Sequence, residues 1–207
     1  LSIRRQRQMC IRDRGNPEHI WTVKYDEATA GGFNLAMMSL HYSSQLTWNF
    51  DAQPWNGYST LEEFYNSFND NDKRKTASFI EGGQLDYGGS DLLDYATDDG
   101  DPRLEYTPYI NEIFPDGCRE CGVRPGKFSY KQFGRPDQSN DFTLVRLGQI
   151  YLIRAEAAAR AAGDWSQALP DTNIIRARAG VSGFTSMDAD IFLAERGREM
   201  FGEAVRR

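Results

Sequence analysis

The residues best suited to bind a ligand lie between Trp48 and Tyr58. This stretch places aromatic rings among amides and a carboxylate within eleven residues. An aromatic ring can cover the C–H face of a sugar, and amide groups can hydrogen-bond sugar hydroxyls without breaking any bond. The alternative is that the rings pack this loop onto the helical body. The pattern predicts a glycan-binding site formed by Trp48, Trp55, Tyr58, Asn49, Asn56 and Tyr42.

Other aromatic residues extend this hypothesis. Tyr87 and Tyr95 lie near Gly-Gly and Asp-Asp pairs and are further candidates for ligand contact. His41 precedes Tyr42, but a single histidine is typically a structural residue, and we interpret it as one.

Cys118 and Cys121 form a single CxxC pair between two glycines. A structural zinc site generally requires four ligands, and neither His19 nor His41 stands at zinc-finger spacing. A redox pair would require a βαβ setting, which the sequence does not indicate. A local disulfide is the better interpretation for an exported chain. We predict no metal and no cofactor.

The acidic group Asp98, Asp99 and Asp101 resembles part of a calcium loop, but it lacks the later glycine and the glutamate at position 12 of such a loop. A solvated turn is the simpler interpretation. Paired carboxylates could also serve glycoside hydrolysis, which is the enzyme hypothesis. No phosphate-binding glycine loop and no G-x-S-x-G motif is present, so we predict no catalytic residues.

The overall composition is that of a globular protein. The chain has 207 residues, 40% of them apolar, and a net charge of −6. Phosphate binding needs clustered Lys and Arg, so this charge argues against a broad nucleic-acid surface. No stretch approaches the run of roughly 20 apolar residues that a membrane-spanning helix needs.

Residues 1–14 differ from everything that follows. They contain five arginines, although the rest of the chain is acidic, and no apolar periodicity. We interpret them, with Cys10, as a segment that is not native to the protein. A basic arm that binds an acidic partner is the alternative.

Regular structure is predicted to be sparse before residue 141. A strand is expected over 20–25, and the Thr60/Glu63 capping box predicts a helix over about 60–68. Between Asn69 and Asn140, Gly, Asp and Pro recur every few residues. Such a long irregular stretch either hides short hairpins or forms a functional surface of loops.

The region after Asp141 is predicted to be helical. Apolar residues at helical spacing indicate a long helix from about Leu144 that ends at Gly163. Asp164 then caps a second helix that ends at Gly180, and Pro170 should kink it or delay its start. The two helices form a tetratricopeptide-like hairpin. A third helix is expected from about residue 187 to residue 207.

The charged residues of these helices are predicted to be architectural. Arg and Glu side chains at helical spacing most often form ion pairs within and between helices. The residues concerned are Arg146, Glu156, Arg176, Arg178, Glu195, Arg198 and Glu199.

Several ordered motifs resemble one family. They are SNDF before the long helix, AEA within it, the Gly-Asp turn, IIRARAG and ERGRE, and upstream WNGYSTLEEF and DPRL. In this order they are similar to the SusD/RagB family. The resemblance covers about residues 15–207 and is poorest in the middle loops.

This resemblance implies both a fold and a function. The expected fold is mainly α, SusD-like, with a tetratricopeptide-like helical hairpin, a long loop-rich excursion and little β structure. Family members are surface lipoproteins of the Bacteroidetes outer membrane that capture oligosaccharides for a SusC-like TonB-dependent transporter without catalysing a reaction. Peptides or other nutrients are alternative ligands, and a protein-binding helical-repeat scaffold is an alternative function.

The same resemblance sets the expected domain organisation. Residues 15–207 are expected to be part of a C-terminal domain that is truncated at both ends. Compared with the family pattern, the lipid-bearing cysteine and most of the repeats are missing on one side, and the aromatic and Asp-Leu continuation after the last helix is missing on the other. Within it, residues 15–140 would form the ligand region and residues 141–207 the helical region.

Overall fold

The computed structural model describes residues 16–94 and 100–205. The predictions for residues 1–14, Cys10, Tyr95, Asp98 and Asp99 therefore lie outside the described residues. Two 3₁₀ turns, Tyr42–Ser44 and Trp165–Ala168, accompany the regular elements. In chain order these elements are β1 (His19–Val23), α1 (Leu35–Ser39), α2 (Gln45–Trp48), α3 (Glu62–Asn66), α4 (Lys73–Ser78), β2 (Phe79–Ile80), β3 (Gly82–Gly83), β4 (Glu105–Tyr106), β5 (Arg124–Pro125), β6 (Phe142–Arg146), α5 (Leu147–Ala162), α6 (Leu169–Ala179) and α7 (Ala189–Glu199).

The chain divides into two compact units. Within the described residues, the helical unit comprises 16–23, 68–77 and 142–205, and the loop unit comprises 24–67, 78–94 and 100–141. The predicted mainly α-helical fold is confirmed, since the longest elements are helices and each sheet has only two strands. None of the helices described is both long and apolar enough to cross a membrane.

The helical unit is built on the α5–α6 hairpin. Small and branched residues of both helices, including Ala155, Ala159 and Ile175, share one buried cluster with Phe192 of α7. Gly163 and Gly180 end the two helices in the left-handed conformation, with φ of 63° and 80°. Glycine adopts this conformation at no steric cost, which explains both stops.

The start of the second helix also follows the sequence. The Asp164 side chain accepts a hydrogen bond from the Ser166 backbone N–H, so Asp164 caps the 3₁₀ turn as predicted. The α-helix begins only at Leu169, with Pro170 in its first turn. A proline is tolerated there because the first N–H groups of a helix have no intrahelical partner. The predicted delay at Pro170 is confirmed.

Three predicted helix boundaries are wrong. Residues 142–146 form β6, which pairs antiparallel with β1, so the long helix begins at Leu147 rather than near Leu144. Leu61 rather than Thr60 is the N-cap of α3. The Thr60 backbone N–H, which a capping box would bond to the Glu63 side chain, donates instead to the carbonyl oxygen of Val123. The third helix ends at Glu199 rather than continuing to the end of the chain.

Buried ion pairs hold the helical unit together. Arg146 is fully buried and lies 2.7 Å from a carboxylate oxygen of Glu199 and 2.7 Å from one of Glu203. Burial alone would lower the pKa of Arg146, but these two carboxylates raise the pKa above its usual value. Arg74, in the first turn of α4, contacts the same Glu199 at 3.3 Å.

The remaining predicted charges are paired as well. Glu195 is buried and binds Arg176 at 2.8 Å and Arg198 at 2.7 Å. Glu156 binds Arg196 at 2.6 Å, and Arg178 binds both Glu199 and Glu18. The prediction that these charges are architectural is confirmed.

The loop unit has little regular structure and a different kind of core. In the long irregular stretch, two-residue strands pair antiparallel across long connections, β2 with β5 and β3 with β4. A short hairpin closes at the single bridge between Leu85 and Asp91. The apolar residues of the loop unit form separate small clusters, one around α1 and another around β4. Longer loops run between these clusters, and the candidate ligand residues lie on them.

Candidate functional site

The loop from Asn49 to Tyr58 follows the short helix α2. Asn49 is the C-cap of α2 and is left-handed, with φ of 49°. The loop then returns to α1, where the N–H groups of Trp55 and Gly57 donate to the carbonyl oxygens of Met37 and Met38 at 2.6 and 2.8 Å. A Cβ on Gly57 would lie 2.7 Å from the Met38 oxygen, so this close approach requires glycine.

Trp48 packs into the loop unit. Its ring stacks on Phe50, with centroids 5.8 Å apart and an interplanar angle of 7°, and meets Tyr130 edge to face at 5.7 Å. It borders the buried cluster around α1. This environment fits the alternative interpretation of packing, and we do not place Trp48 among the exposed candidate rings.

Trp55 and Tyr58 are presented to solvent. Their exposed fractions are 53% and 45%. The Tyr58 hydroxyl donates to the Met38 sulfur at 3.6 Å, and burial of its phenol raises the pKa of Tyr58. Both rings therefore stand on a backbone that is fixed against α1, with apolar surface available to a ligand.

Asn56 and Arg124 hold this loop from the other side. The Asn56 amide donates to the carbonyl oxygen of Arg119 at 2.9 Å and accepts from the Arg124 guanidinium at 2.9 Å. Because both ends of the amide have protein partners, Asn56 positions the loop rather than presenting a free amide. Asn56 is also left-handed, with φ of 53°.

Arg124 is a site residue that the sequence reasoning missed. It is buried, and its guanidinium donates to the carbonyl oxygens of Arg119, Cys121 and Gly122 at 2.6 to 2.9 Å. Burial lowers the pKa of Arg124 below its usual value. No local pattern marks this residue, because its partners are backbone atoms of a loop whose path the sequence does not show.

The segment that Arg124 binds is closed by a disulfide. Cys118 and Cys121 are bonded, with Cα atoms 5.3 Å apart, so the predicted local disulfide is confirmed. Gly122 follows with φ of 78°, and a Cβ there would collide with the Ser59 side chain at 2.3 Å. The cross-linked turn itself contacts the Trp55–Tyr58 segment through the hydrogen bond from Asn56 to the Arg119 carbonyl oxygen.

His41 is buried beneath this surface, as expected for a structural residue. Its Nε2 lies 3.0 Å from a carboxylate oxygen of Asp94, and its Nδ1 accepts from the Ser43 N–H at 3.2 Å. Burial lowers the pKa of His41, and the Asp94 carboxylate opposes that effect. The backbone N–H of His41 donates to the Tyr106 hydroxyl at 2.9 Å.

The other candidates are spread over the loop unit. Tyr42 is 37% exposed and lies beside the His41 ring, whereas Asn49 is half-buried at the end of α2. Tyr87 is exposed and contacts Phe133, a second residue that the sequence reasoning missed. The Asp101 carboxylate binds the Arg103 side chain and backbone, which lowers the pKa of Asp101 to about 2.

No group of three or more potential metal-ligating side chains is found in the part of the chain that the structure describes. The side chains that do converge are Arg124 and Asn56, which hold the exposed Trp55 and Tyr58. This arrangement offers apolar ring faces on a rigid loop, which suits binding rather than bond cleavage.

The fold and the loop surface define a mainly α-helical protein that presents aromatic rings from a loop-rich unit. Residues 6–207 match the sequence model of the SusD family. The chain therefore belongs to the SusD family. No curated protein matches the sequence.

Solved structures with the same fold include proteins described as SusD-like and others described as surface glycan-binding proteins. A SusD-like protein from Bacteroides fragilis has 19% identity and a TM-score of 0.63, over 96% of this chain and 43% of that chain. Surface glycan-binding protein A from Bacteroides uniformis has 21% identity and a TM-score of 0.58, over 90% and 35%. Surface glycan-binding protein A from Bacteroides thetaiotaomicron, in complex with laminarihexaose, has 22% identity and a TM-score of 0.56, over 91% of this chain and 41% of that chain. The chain spans less than half the length of each of these proteins.

Proposed function

We propose that the protein binds oligosaccharide or polysaccharide at the cell surface, without cleaving it, for import through a SusC-like TonB-dependent transporter. The observation that carries this proposal is the pair of solvent-exposed rings, Trp55 and Tyr58, on a loop fixed by the Arg124–Asn56 contacts. Family membership supports the surface location and the transporter partner as expectations for the whole protein.

The chemistry of the loop favours a carbohydrate ligand. A sugar presents an apolar C–H face and a rim of hydroxyls, and an exposed ring on a rigid backbone covers that face at a small cost in conformational entropy. The two structures named as surface glycan-binding proteins share the fold, and one of them is a complex with laminarihexaose. These relatives support the ligand class and leave the identity of the glycan to experiment.

Affinity gel electrophoresis of the intact protein against a panel of polysaccharides, including laminarin, tests the proposal. We expect retardation by at least one polysaccharide. Each stacked ring contributes about 0.5–1.5 kcal/mol beyond its buried area, so replacing both Trp55 and Tyr58 with Ala should weaken binding by about tenfold or more.

Trp21 supplies the matched control for this experiment. It is 64% exposed on β1 in the helical unit, so Trp21→Ala removes an equally exposed ring outside the site. Retardation should be unchanged by Trp21→Ala. The proposal would be overturned by the absence of retardation on every polysaccharide, by equal losses in the two variants, or by release of reducing sugar from the panel.

A further inference from the structure

A second pair of exposed rings lies on two other loops of the loop unit. Tyr87 and Phe133 are 56% and 63% exposed, and their ring centroids are 5.2 Å apart with the planes at 67°. Because the two ring planes are steeply inclined, the rings together form an angled apolar surface. The Tyr87 phenol adds a hydrogen-bonding group to it.

One short helix holds both of these loops. The last carbonyl groups of a helix have no partner inside it. At the end of α2, the carbonyl oxygens of Leu46 and Trp48 accept hydrogen bonds from the backbone N–H groups of Tyr87 and Phe133 at 2.9 and 2.8 Å. The Gln132 side chain donates to the Thr47 carbonyl oxygen at 3.4 Å. The backbones that carry the two rings are thus both held by the carbonyl groups of a single turn, Leu46 to Trp48.

The backbone of Phe133 is in an unfavourable conformation. Its φ is 55°, in the left-handed region that bulky residues rarely occupy. The chain uses asparagine at two other left-handed positions, 49 and 56, as expected for a residue that tolerates this conformation. An aromatic residue at 133 costs stability, and a ring that is mostly exposed recovers little of it through burial. Strain of this kind clusters at sites that contact ligands.

We propose that Tyr87 and Phe133 form a second glycan-stacking platform that binds another part of the same polysaccharide as the Trp55–Tyr58 loop. This inference rests on the proposed function and narrows it to long glycans. Both platforms belong to one compact unit, so a chain that reaches both is held at two points, and its affinity exceeds that of a short oligosaccharide.

Phe133→Asn tests the platform because it removes the ring and keeps a residue suited to the left-handed backbone. Binding of the polysaccharide that gives the strongest retardation should weaken by about three- to tenfold, the range expected for one aromatic contact. Binding of the disaccharide of the same glycan, measured by calorimetry, should change by less than about twofold because one platform suffices for it. The melting temperature should stay constant or rise.

A second variant, Tyr87→Ala, removes the neighbouring ring from a different loop and should weaken polysaccharide binding to a similar extent. The platform is overturned if both variants bind the polysaccharide like the wild type, or if each loses binding only in proportion to a lower melting temperature. If only the Trp55/Tyr58 variant loses binding, the proposed function stands and this inference fails. If the wild type binds no polysaccharide, both fail.

Discussion

Arginine side chains stabilise the two units in different ways. In the helical unit, Arg146 and Arg74 are buried against carboxylates, so ion pairs to Glu199 of α7 neutralise the arginine charges of β6 and α4. In the loop unit, Arg124 is equally buried but donates mainly to backbone carbonyl oxygens. The helices satisfy their own backbone groups and leave side chains to pair, whereas irregular loops leave carbonyl groups that a side chain must satisfy. The helical unit therefore depends on buried ion pairs, and the loop unit depends on hydrogen bonds from a buried side chain to the backbone.

Removing a buried charge from the helical unit should have the largest effect. Arg146→Ala removes a buried cationic partner from both Glu199 and Glu203, and breaking a buried ion pair on one side typically costs about 3–5 kcal/mol. Arg154→Ala is the control, because Arg154 is 66% exposed in its pair with Asp171 and such pairs contribute about 0–1 kcal/mol. Urea unfolding followed by circular dichroism measures both. Similar losses in the two variants would contradict the importance of burial.

Opening the disulfide should have the next largest effect, and it should be confined to the loop unit. A cross-link that closes so short a loop contributes about 2 kcal/mol by restricting the unfolded chain. Replacing Cys118 and Cys121 with Ser should lower stability by that amount. Hydrogen exchange should rise around the cross-linked turn and Asn56, which it contacts. Faster exchange in α5 instead would be evidence against a local role.

Substitution of Asn56 tests whether its side-chain hydrogen bonds hold the loop that carries Trp55 and Tyr58. Asn56→Gly keeps a residue that accepts positive φ but removes the bonds to Arg119 and Arg124, and should cost about 1–2 kcal/mol. Asn49→Gly is the matched control, since Asn49 has nearly the same φ at a helix end, where Gly is also favoured, and should change stability by about 0.5 kcal/mol or less. Thermal melts of the two variants decide the point. Equal melting temperatures would show that the amide does not hold the loop.

The smallest expected effect is a pH dependence from His41. Its pKa in the folded protein is lowered by burial, so the unfolded chain takes up the proton first as the pH falls. The stability that neutral His41 contributes is fully present above the unfolded-state pKa of about 6.5 and is lost as the pH falls below it toward the folded-state pKa. The difference in unfolding free energy between wild type and His41→Gln should therefore be larger at pH 8 than at pH 5.5. An unchanged difference would mean that His41 is not the titrating group.

The sequence predicted those structural features that are determined by neighbouring residues, and it missed those that depend on residues far away in the chain. Gly163, Asp164, Pro170 and Gly180 act on their own turns, and their positions predicted the helical hairpin. The strand at Phe142–Arg146 was missed because its partner lies more than a hundred residues away, while its apolar spacing also fits a helix.

The candidate site shows the same limit. Trp48 and Trp55 look alike in the sequence, and only the positions of Phe50 and Tyr130 separate the packed ring from the exposed one. Arg124 and Phe133 gave no signal, because one binds the carbonyl groups of a distant turn and the other is distinguished by its φ angle.

The contacts of Arg124 have a consequence for how such a surface can diversify. Its guanidinium recognises the peptide carbonyls of residues 119, 121 and 122 rather than their side chains. The hydrogen bond to the carbonyl oxygen of residue 119 therefore does not require any particular side chain at that position. As long as Arg124 and Asn56 are retained, related proteins could change the ligand-facing side chains of this surface while the backbone of the turn stays the same.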